Sequence, residues 1–219
     1  MPDIRKIAFT FITIVVVPLL FFVLLELGLA AFGVGTSFDY FHEIDINGQP
    51  HYQENPDFAD QFYPSSLNIG PRENTFTKER SPELIRVYVL GGSAAQGFPH
   101  KNHGIDRLLE TQLRAALPSR EIEVINTAMT SVNSHVVYEV ARSIPEDSAD
   151  FAVILMGNNE VVGPYGPGTF NQTFLANITL IRGIQALKRT RICLLYTSPS
   201  PRDLVGNRVF RLLLEKRGG

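Results

Sequence analysis

Residues 89–97, VLGGSAAQG, place one serine hydroxyl among residues with almost no side chain, at the point where an apolar run ends. A serine that attacks an acyl carbon must stand clear of its neighbours, and preceding glycines let the backbone turn sharply and leave room for a substrate. Ser93 has this setting, which predicts a nucleophile. The attacked carbonyl oxygen becomes negatively charged and needs N–H donors already in place. Asn159 is the predicted side-chain donor, and the Ser93 and Ser131 amides are the predicted backbone donors.

Alternating strand-like and helix-like segments must position these residues. The runs LIRVYVLG, EIEVIN and FAVILMG are typical of strands, and GIDRLLETQLRAAL and SHVVYEVARSI between them repeat apolar residues at helical spacing. The last run is apolar throughout, which predicts a strand covered on both faces. Strands joined by crossovers of this length form a parallel sheet with helices on both sides. The sequence therefore predicts an α/β fold, a three-layer α/β/α sandwich with a parallel, flavodoxin-like sheet.

The loops that follow the three predicted strands are GGSAAQG, NTAMTSVNS and GNNEVVGPYG. They consist largely of small and amide-bearing residues. In open parallel sheets, ligands bind outside the carboxyl ends of the strands, where such loops converge. We therefore expect the three loops to form one site.

In order along the chain, these blocks resemble the SGNH, or GDSL-like, hydrolases, which are α/β serine esterases and acyl transferases. The resemblance covers about residues 84–170. GGSAAQG is similar to the family's nucleophile turn, INTAMTSVNS to its second block with Ser131 where the family has glycine, and GNNE to its G-x-N-D block. VLGGSAAQGFP, AMTSVNSHVV and GNNEVVGPYGPGTF look like a bacterial membrane-anchored subgroup often found with tetratricopeptide repeats.

The resemblance implies hydrolysis or transfer of an ester-linked acyl group through an acyl-enzyme, with no cofactor and no metal. The implied catalytic residues are Ser93, Ser131 and Asn159. The implied substrate-binding residues are Gly92, Gly157, Asn158, Glu160 and His135. Gly92 stands where the family usually has an aspartate, and this aspartate is not a proton carrier in the mechanism.

The general base of this family comes from a late D-x-x-H block, and no histidine follows His135 in this sequence. We therefore expect the chain to be truncated before its base. Three roles stay open for His135, namely base, residue that lines the site or fixes the loop, and packing residue. His100 and His103 are expected to face solvent, and His42 and His51 to be surface or packing residues.

The amino terminus predicts a membrane anchor over residues 1–32. Residues 7–25 contain nineteen residues without a charge, close to the ~20 that cross a hydrocarbon core as a helix. Arg5 and Lys6 precede them, so the amino end should stay cytoplasmic and the remainder should lie on the periplasmic side of an inner membrane. A cleaved signal peptide ending near GLA at 28–30 is the alternative.

The remaining boundaries follow from changes in composition. Residues 33–82 are rich in Phe, Tyr, Asn, Pro and Asp and predict an irregular extracytoplasmic connector with at most a short strand or two. Residues 83–192 form the hydrolase-like domain. Residues 193–219 begin a turn-rich segment that breaks the α/β rhythm and look like a foreign tail from sequence assembly. A flexible linker with a short helix is the alternative.

Charge and cysteine content limit which partners and which kinds of site are expected. The net charge is −2 and no basic stripe is interleaved with aromatic residues, so nucleic acid is not an expected partner. Cys193 is the single cysteine, which excludes an internal disulfide framework and a cysteine-rich zinc site. The expected partners are an acylated small molecule or glycan as substrate and a lipid bilayer around the amino-terminal helix. The alternative function is binding of a glycan or acyl ligand without turnover, in cell-envelope assembly.

Overall fold

A computed structural model describes residues 3–34, 38–63, 67, 69–168 and 177–197. The chain divides into two units, a first of residues 1–37 together with 186–219 and a second of residues 38–185. The predicted tail at 193–219 falls largely outside the described residues, since only residues 193–197 are among them.

The first unit is dominated by one long apolar helix. Helices α1 (Ile4–Phe11) and α2 (Val17–Ala31) are joined by a π-helical stretch, Ile12–Val16, and run on as one helix over Ile4–Ala31. Its 28 residues span about 42 Å at ~1.5 Å per residue, more than the ~30 Å of a hydrocarbon core. The most apolar 18-residue window of this helix has a mean hydropathy of 2.9, and none of the window is buried inside the protein. The helix is therefore long and apolar enough to cross a membrane.

The polar residue Glu26 ends the apolar run of this helix. Its carboxylate accepts hydrogen bonds from the backbone N–H groups of Arg191 at 2.8 Å and Ile192 at 3.1 Å. Those residues begin a short helix that extends to Thr197. Glu26 thus supplies acceptors for the otherwise unsatisfied first N–H groups of that helix.

Within the second unit, the segment expected to be an irregular connector forms a small antiparallel sheet instead. Its strands are β1 (Phe41–Ile46), β2 (Gln49–Glu54) and β3 (Thr75–Thr77), in the order β1-β2-β3. Asn47 and Gly48 connect the first two strands with φ of 56° and 81°. Positive φ at both residues of a two-residue loop is typical of the turn that the Asn-Gly dipeptide favours.

The aromatic residues of this small sheet belong to the core of the second unit. Tyr40, Phe41, Phe58 and Phe76 are buried in one cluster with Tyr88 of the following strand. The rings of Phe41 and Tyr88 pack edge to face, with centroids 6.1 Å apart. Residues on both sides of position 82 therefore share one core.

The predicted parallel sheet is present. Its strands are β4 (Leu84–Gly91), β5 (Glu121–Asn126) and β6 (Phe151–Leu155), and β4 lies in the middle in the order β5-β4-β6. Both pairings are parallel. The helices of this unit are α3 (Ser93–Gln96), α4 (Ile105–Ala116) and α5 (Ser134–Ser143). Helix α6 (Ile178–Lys188) begins in this unit and ends in the first, and α7 (Arg191–Thr197), in the first unit, is the short helix capped by Glu26. The chain is thus of mixed α/β class, as predicted.

Alternate residues of β4 enter two separate clusters. Tyr88 and Leu90 pack with Val136 and Val140 of α5. Val89 packs with residues of α4, Ile105 and Leu109. Because successive side chains of a strand point to opposite faces, the two helices contact different faces of this strand.

The prediction that β6 is covered on both faces is wrong for the described structure. The strand pairs along one edge with β4, and its side chains are exposed, at 63% for Phe151, 37% for Val153, 58% for Ile154 and 43% for Leu155. A run of apolar residues favours a buried strand, but in the described part of the chain the side chains on both faces of β6 are open to solvent.

Candidate active site at the carboxyl edge of the parallel sheet

The loops that leave the three parallel strands meet in one small cleft. Its volume is about 20 Å³, which is room for a single water molecule. The first loop contributes Gly92 and Ala94, and the second contributes Val132. The end of β6 and its loop contribute Leu155, Met156, Gly157, Asn158 and Asn159. The predicted residues Gly92, Gly157, Asn158 and Asn159 are therefore brought together.

Ser93 lies between two residues that line this cleft, and it begins the short helix α3. The glycine that ends β4, Gly91, determines how closely β4 and β6 approach at this point. A Cβ atom on Gly91 would lie 2.0 Å from the carbonyl oxygen of Leu155, well inside contact distance. The glycine allows β4 and β6 to approach closely just before the backbone turns into α3, and Ser93 is held half-buried at that turn.

Asn159 reaches from the β6 loop to both of the other loops. Its Nδ2 donates to the carbonyl oxygen of Val132 at 3.1 Å, and a Cβ atom built on Gly92 would lie 3.5 Å from the same nitrogen. A side-chain amide nitrogen carries two N–H donors. One of them holds the second loop in place, so the second N–H is the one available for a ligand in the cleft.

Ser131 adopts a backbone conformation that favours glycine, with φ of 63°. This is the position at which the resembling family has a glycine. The side chain is exposed, and the cleft is lined by its neighbour Val132 rather than by Ser131. The hydroxyl of Tyr63 donates a hydrogen bond to the Ser131 carbonyl oxygen. The predicted oxyanion donor thus lies beside the cleft and is fixed by a residue from outside the three loops.

Glu160 and His135, both predicted to bind substrate, each contact other residues of the protein. The Glu160 carboxylate accepts hydrogen bonds from the backbone N–H of Ser134 at 3.0 Å and from its hydroxyl at 2.6 Å. Ser134 is the first residue of α5, so Glu160 acts as a cap for that helix. The His135 ring packs edge to face on Tyr165, with centroids 6.0 Å apart. Neither residue lines the cleft.

Other histidines lie away from the cleft lining. His100 and His103 are exposed, as predicted, with ring centroids 5.7 Å apart. His42 and His51 are half-buried on β1 and β2. Among the residues that the structure describes, no hydrogen bond joins the Ser93 hydroxyl to a histidine or a carboxylate.

A buried polar network that the sequence did not indicate lies behind the second loop. The Tyr40 hydroxyl donates to the carbonyl oxygen of Thr127 at 3.0 Å and lies 3.3 Å from a carboxylate oxygen of Glu54. The backbone and side-chain N–H groups of Asn74 donate to the two Glu54 oxygens, both at 3.0 Å. Asn74 also donates to the carbonyl oxygen of Asn126 at the end of β5. The network thereby ties the antiparallel sheet to the strand that carries the second loop.

Burial dominates the chemistry of Glu54. The side chain is fully buried, and desolvation raises its pKa from 4.5 to about 7 against the opposing effect of the Asn74 and Tyr40 hydrogen bonds and of the Arg72 charge. Asn126 continues the network through its side chain. The Asn126 amide donates a hydrogen bond to the Asp106 carboxylate at 2.6 Å, and Asp106 forms an ion pair with Arg72 at 3.0 Å. Glu54, whose pKa is near neutral, therefore belongs to the hydrogen-bond network that holds Asn126 and Thr127, where the second loop begins.

No family model, curated protein or solved structure matches this chain.

Proposed function

We propose that this chain is a membrane-anchored, SGNH-like serine esterase or acyl-transfer domain that acts on ester-linked acyl groups. Ser93 is the nucleophile in this proposal, and the Ser131 amide and the Asn159 side chain are oxyanion donors. The general base comes from a D-x-x-H segment of a longer form of the protein. No cofactor or metal takes part.

One observation carries the proposal, namely that the loops after β4, β5 and β6 share one cleft. Each loop contributes one feature that suits acyl transfer. The first has a glycine turn that bears Ser93, the second has a left-handed backbone at Ser131, and the third has the side-chain amide of Asn159. The bond from Asn159 to the Val132 carbonyl oxygen, at 3.1 Å, holds two of the loops together. Such preorganised donors are the usual source of the largest catalytic effect in acyl transfer.

The reaction proceeds in two steps. The Ser93 oxygen attacks the ester carbonyl carbon, the hydroxyl proton passes to the general base, and the carbonyl oxygen becomes the oxyanion. When the tetrahedral intermediate collapses, the bond to the alcohol breaks and the alcohol leaves with that proton. Water, or a second alcohol in a transfer reaction, then takes the acyl group from Ser93 and restores its hydroxyl.

The finer fold assignment belongs to the same proposal. The order β5-β4-β6 places the second and third parallel strands on either side of the first, as in flavodoxin-like sheets. Packing of α4 and α5 against opposite faces of β4 supports a three-layer α/β/α sandwich.

The location of the domain gives a testable prediction. Arg5 and Lys6 precede the apolar helix, and positive residues flanking such a helix stay cytoplasmic. We expect alkaline phosphatase fused after residue 80 to be active outside the cytoplasm, and green fluorescent protein at the same position to stay dark. The matched control reverses Arg5 and Lys6 to glutamate, which should lower the phosphatase signal. A cytoplasmic signal from the unaltered fusion would contradict the proposed topology.

A second prediction tests the acyl-enzyme. Incubation with p-nitrophenyl acetate should place an acetyl group on the peptide that contains Ser93, detected by mass spectrometry, and Ser93→Ala should remove it. The control Ser134→Ala changes a serine that bonds Glu160 and should keep the acetylation. A form of the protein extended through a D-x-x-H block should become acetylated and turn over much faster. Absence of Ser93 acetylation in both forms would contradict the catalytic proposal.

The second candidate function is a non-catalytic glycan or acyl-ligand binding module in cell-envelope assembly. It is favoured by Ser93, whose hydroxyl has no hydrogen bond to a histidine or a carboxylate among the residues that the structure describes. A ligand that binds with equal affinity to the unaltered chain and to Ser93→Ala, without acetylation of either, would favour this function.

A further inference from the structure

Four consecutive residues of the loop after β5 are each held by a different part of the second unit. The partners are Gln96 for Thr130, Tyr63 for Ser131, Asn159 for Val132 and Pro164 for Asn133. Three of these partners lie in or beside the other two loops. Tyr63 is the exception, because it directly follows the 3-10 helix Pro56–Gln61 and the turn residue Phe62, outside residues 84–170.

The bond from Tyr63 acts on the strained residue of the loop. Ser131 has φ of 63°, a conformation that residues with a Cβ atom adopt rarely. A carbonyl oxygen can only accept, so the Tyr63 hydroxyl is the donor. Burial raises the pKa of Tyr63 to about 12, and the hydroxyl therefore keeps its proton throughout the pH range of an esterase assay.

The same bond constrains the neighbouring peptide. With φ of Ser131 set by the chain, holding its carbonyl oxygen fixes ψ and the plane of the peptide that joins Ser131 to Val132. The carbonyl oxygen of Val132 is the acceptor for the Asn159 amide, at 3.1 Å. That oxygen belongs to the next peptide, and because the Val132 side chain is buried, rotation between the two peptides is restricted. Movement of the Ser131 carbonyl would therefore be passed through Val132 to the amide of Asn159.

We infer that Tyr63 is a positioning residue of the site, whose hydroxyl holds the Ser131 peptide and, through Val132, the orientation of the Asn159 side chain. The inference rests on the proposed function for its catalytic consequence and on the hydrogen bonds alone for its structural one. The segment that precedes β4 thereby contributes a residue to the geometry of the site.

The test compares two tyrosines that each lose one hydroxyl. Tyr63→Phe removes the donor to Ser131 and keeps the ring. The matched control, Tyr88→Phe, removes a buried hydroxyl that lies 2.9 Å from Ser148 Oγ. We expect Tyr63→Phe to lower kcat for Ser93-dependent ester hydrolysis about tenfold with KM within about twofold, since small misplacements of positioning groups act on the reaction step. Tyr88→Phe should lower the melting temperature without this change in kcat.

A readout independent of activity uses the full chain in detergent micelles. In ¹H–¹⁵N spectra, the Ser131 and Val132 backbone amides and the Asn159 side-chain amide should shift in Tyr63→Phe and stay in place in Tyr88→Phe. An unmoved Asn159 amide in Tyr63→Phe would overturn the inference, whatever the activity. If these amides shift but neither the unaltered chain nor the form extended through a D-x-x-H block shows Ser93-dependent turnover, the proposed function fails and the positioning role stands.

Discussion

In the form extended through a D-x-x-H block, replacing Asn159 by alanine is expected to lower Ser93-dependent ester turnover by about 10²–10³, the usual loss for one oxyanion donor. The donor acts on charge that develops in the transition state, so the affinity for an uncharged ester should change little. Steady-state hydrolysis of p-nitrophenyl acetate gives the ratio of kcat values. The control Asn177→Ala removes an amide that caps α6, where Asn177 Oδ1 accepts from Thr179 N at 2.8 Å, and should leave turnover unchanged.

Asn159 also holds the Val132 carbonyl oxygen, so a loss of turnover has two possible origins. Both origins depend on the N–H donors of the side chain. Asn159→Asp tests whether the lost donors or the lost side-chain volume causes the effect, because the carboxylate keeps the shape but replaces the N–H donor by an acceptor. Its turnover should fall at least as far as that of Asn159→Ala. If kcat of Asn159→Ala stays within about threefold of the unaltered chain, Asn159 is not an oxyanion donor, since a lost donor costs about 10² or more.

Glu54→Gln is expected to remove a large part of the pH dependence of stability. The pKa of Glu54 is raised from 4.5 to about 7 in the folded protein, so its contribution is fully present below about pH 4.5 and is lost as the pH rises through 7. At about 1.4 kcal/mol per pH unit, the loss for such a group is on the order of 3 kcal/mol. Thermal or urea unfolding between pH 5 and 8 should show this decline in the unaltered chain and a flatter profile in Glu54→Gln.

The comparison between the two pH profiles is what decides this prediction. The NH2 group of glutamine is a donor and would face a donor of Asn74, so the variant can be less stable at every pH without a change in the slope of its profile. The control Glu43→Gln alters an exposed carboxylate paired with Lys78 at 2.6 Å, and its profile should follow that of the unaltered chain. Equal slopes in Glu54→Gln and the unaltered chain would show that Glu54 does not titrate in this range.

The parallel strands and their exit loops were predictable because their information is local. An apolar run that ends in glycine, as at Gly91, states both where a strand lies and where it stops. The hairpin of β1 and β2 was missed although Asn47-Gly48 is among the stronger short-range indications of such a turn. The polar residues on both of its strands obscured the alternation.

Contacts between distant segments could not be predicted in the same way. Nothing near Glu160 in the sequence indicates that its carboxylate caps α5 through Ser134, and nothing near Tyr63 indicates its bond to Ser131. Both depend on how the loops are folded back on one another. The coverage of β6 was wrongly predicted for a related reason, since an apolar run describes the strand itself and not its neighbours.

The exposed strand β6 bears on how the protein behaves in solution. Among the residues that the structure describes, no strand pairs with its outer edge, and its side chains Phe151, Val153, Ile154 and Leu155 are apolar on both faces. Soluble proteins usually protect such an edge with a lysine, a proline or a bulge. Residues 151–156, FAVILM, carry no charge and no proline, and Asp150 just before them is engaged by Arg80. Within the described part of the chain, this strand is therefore the segment best suited to add a further strand, from a longer form of the protein or from a second molecule.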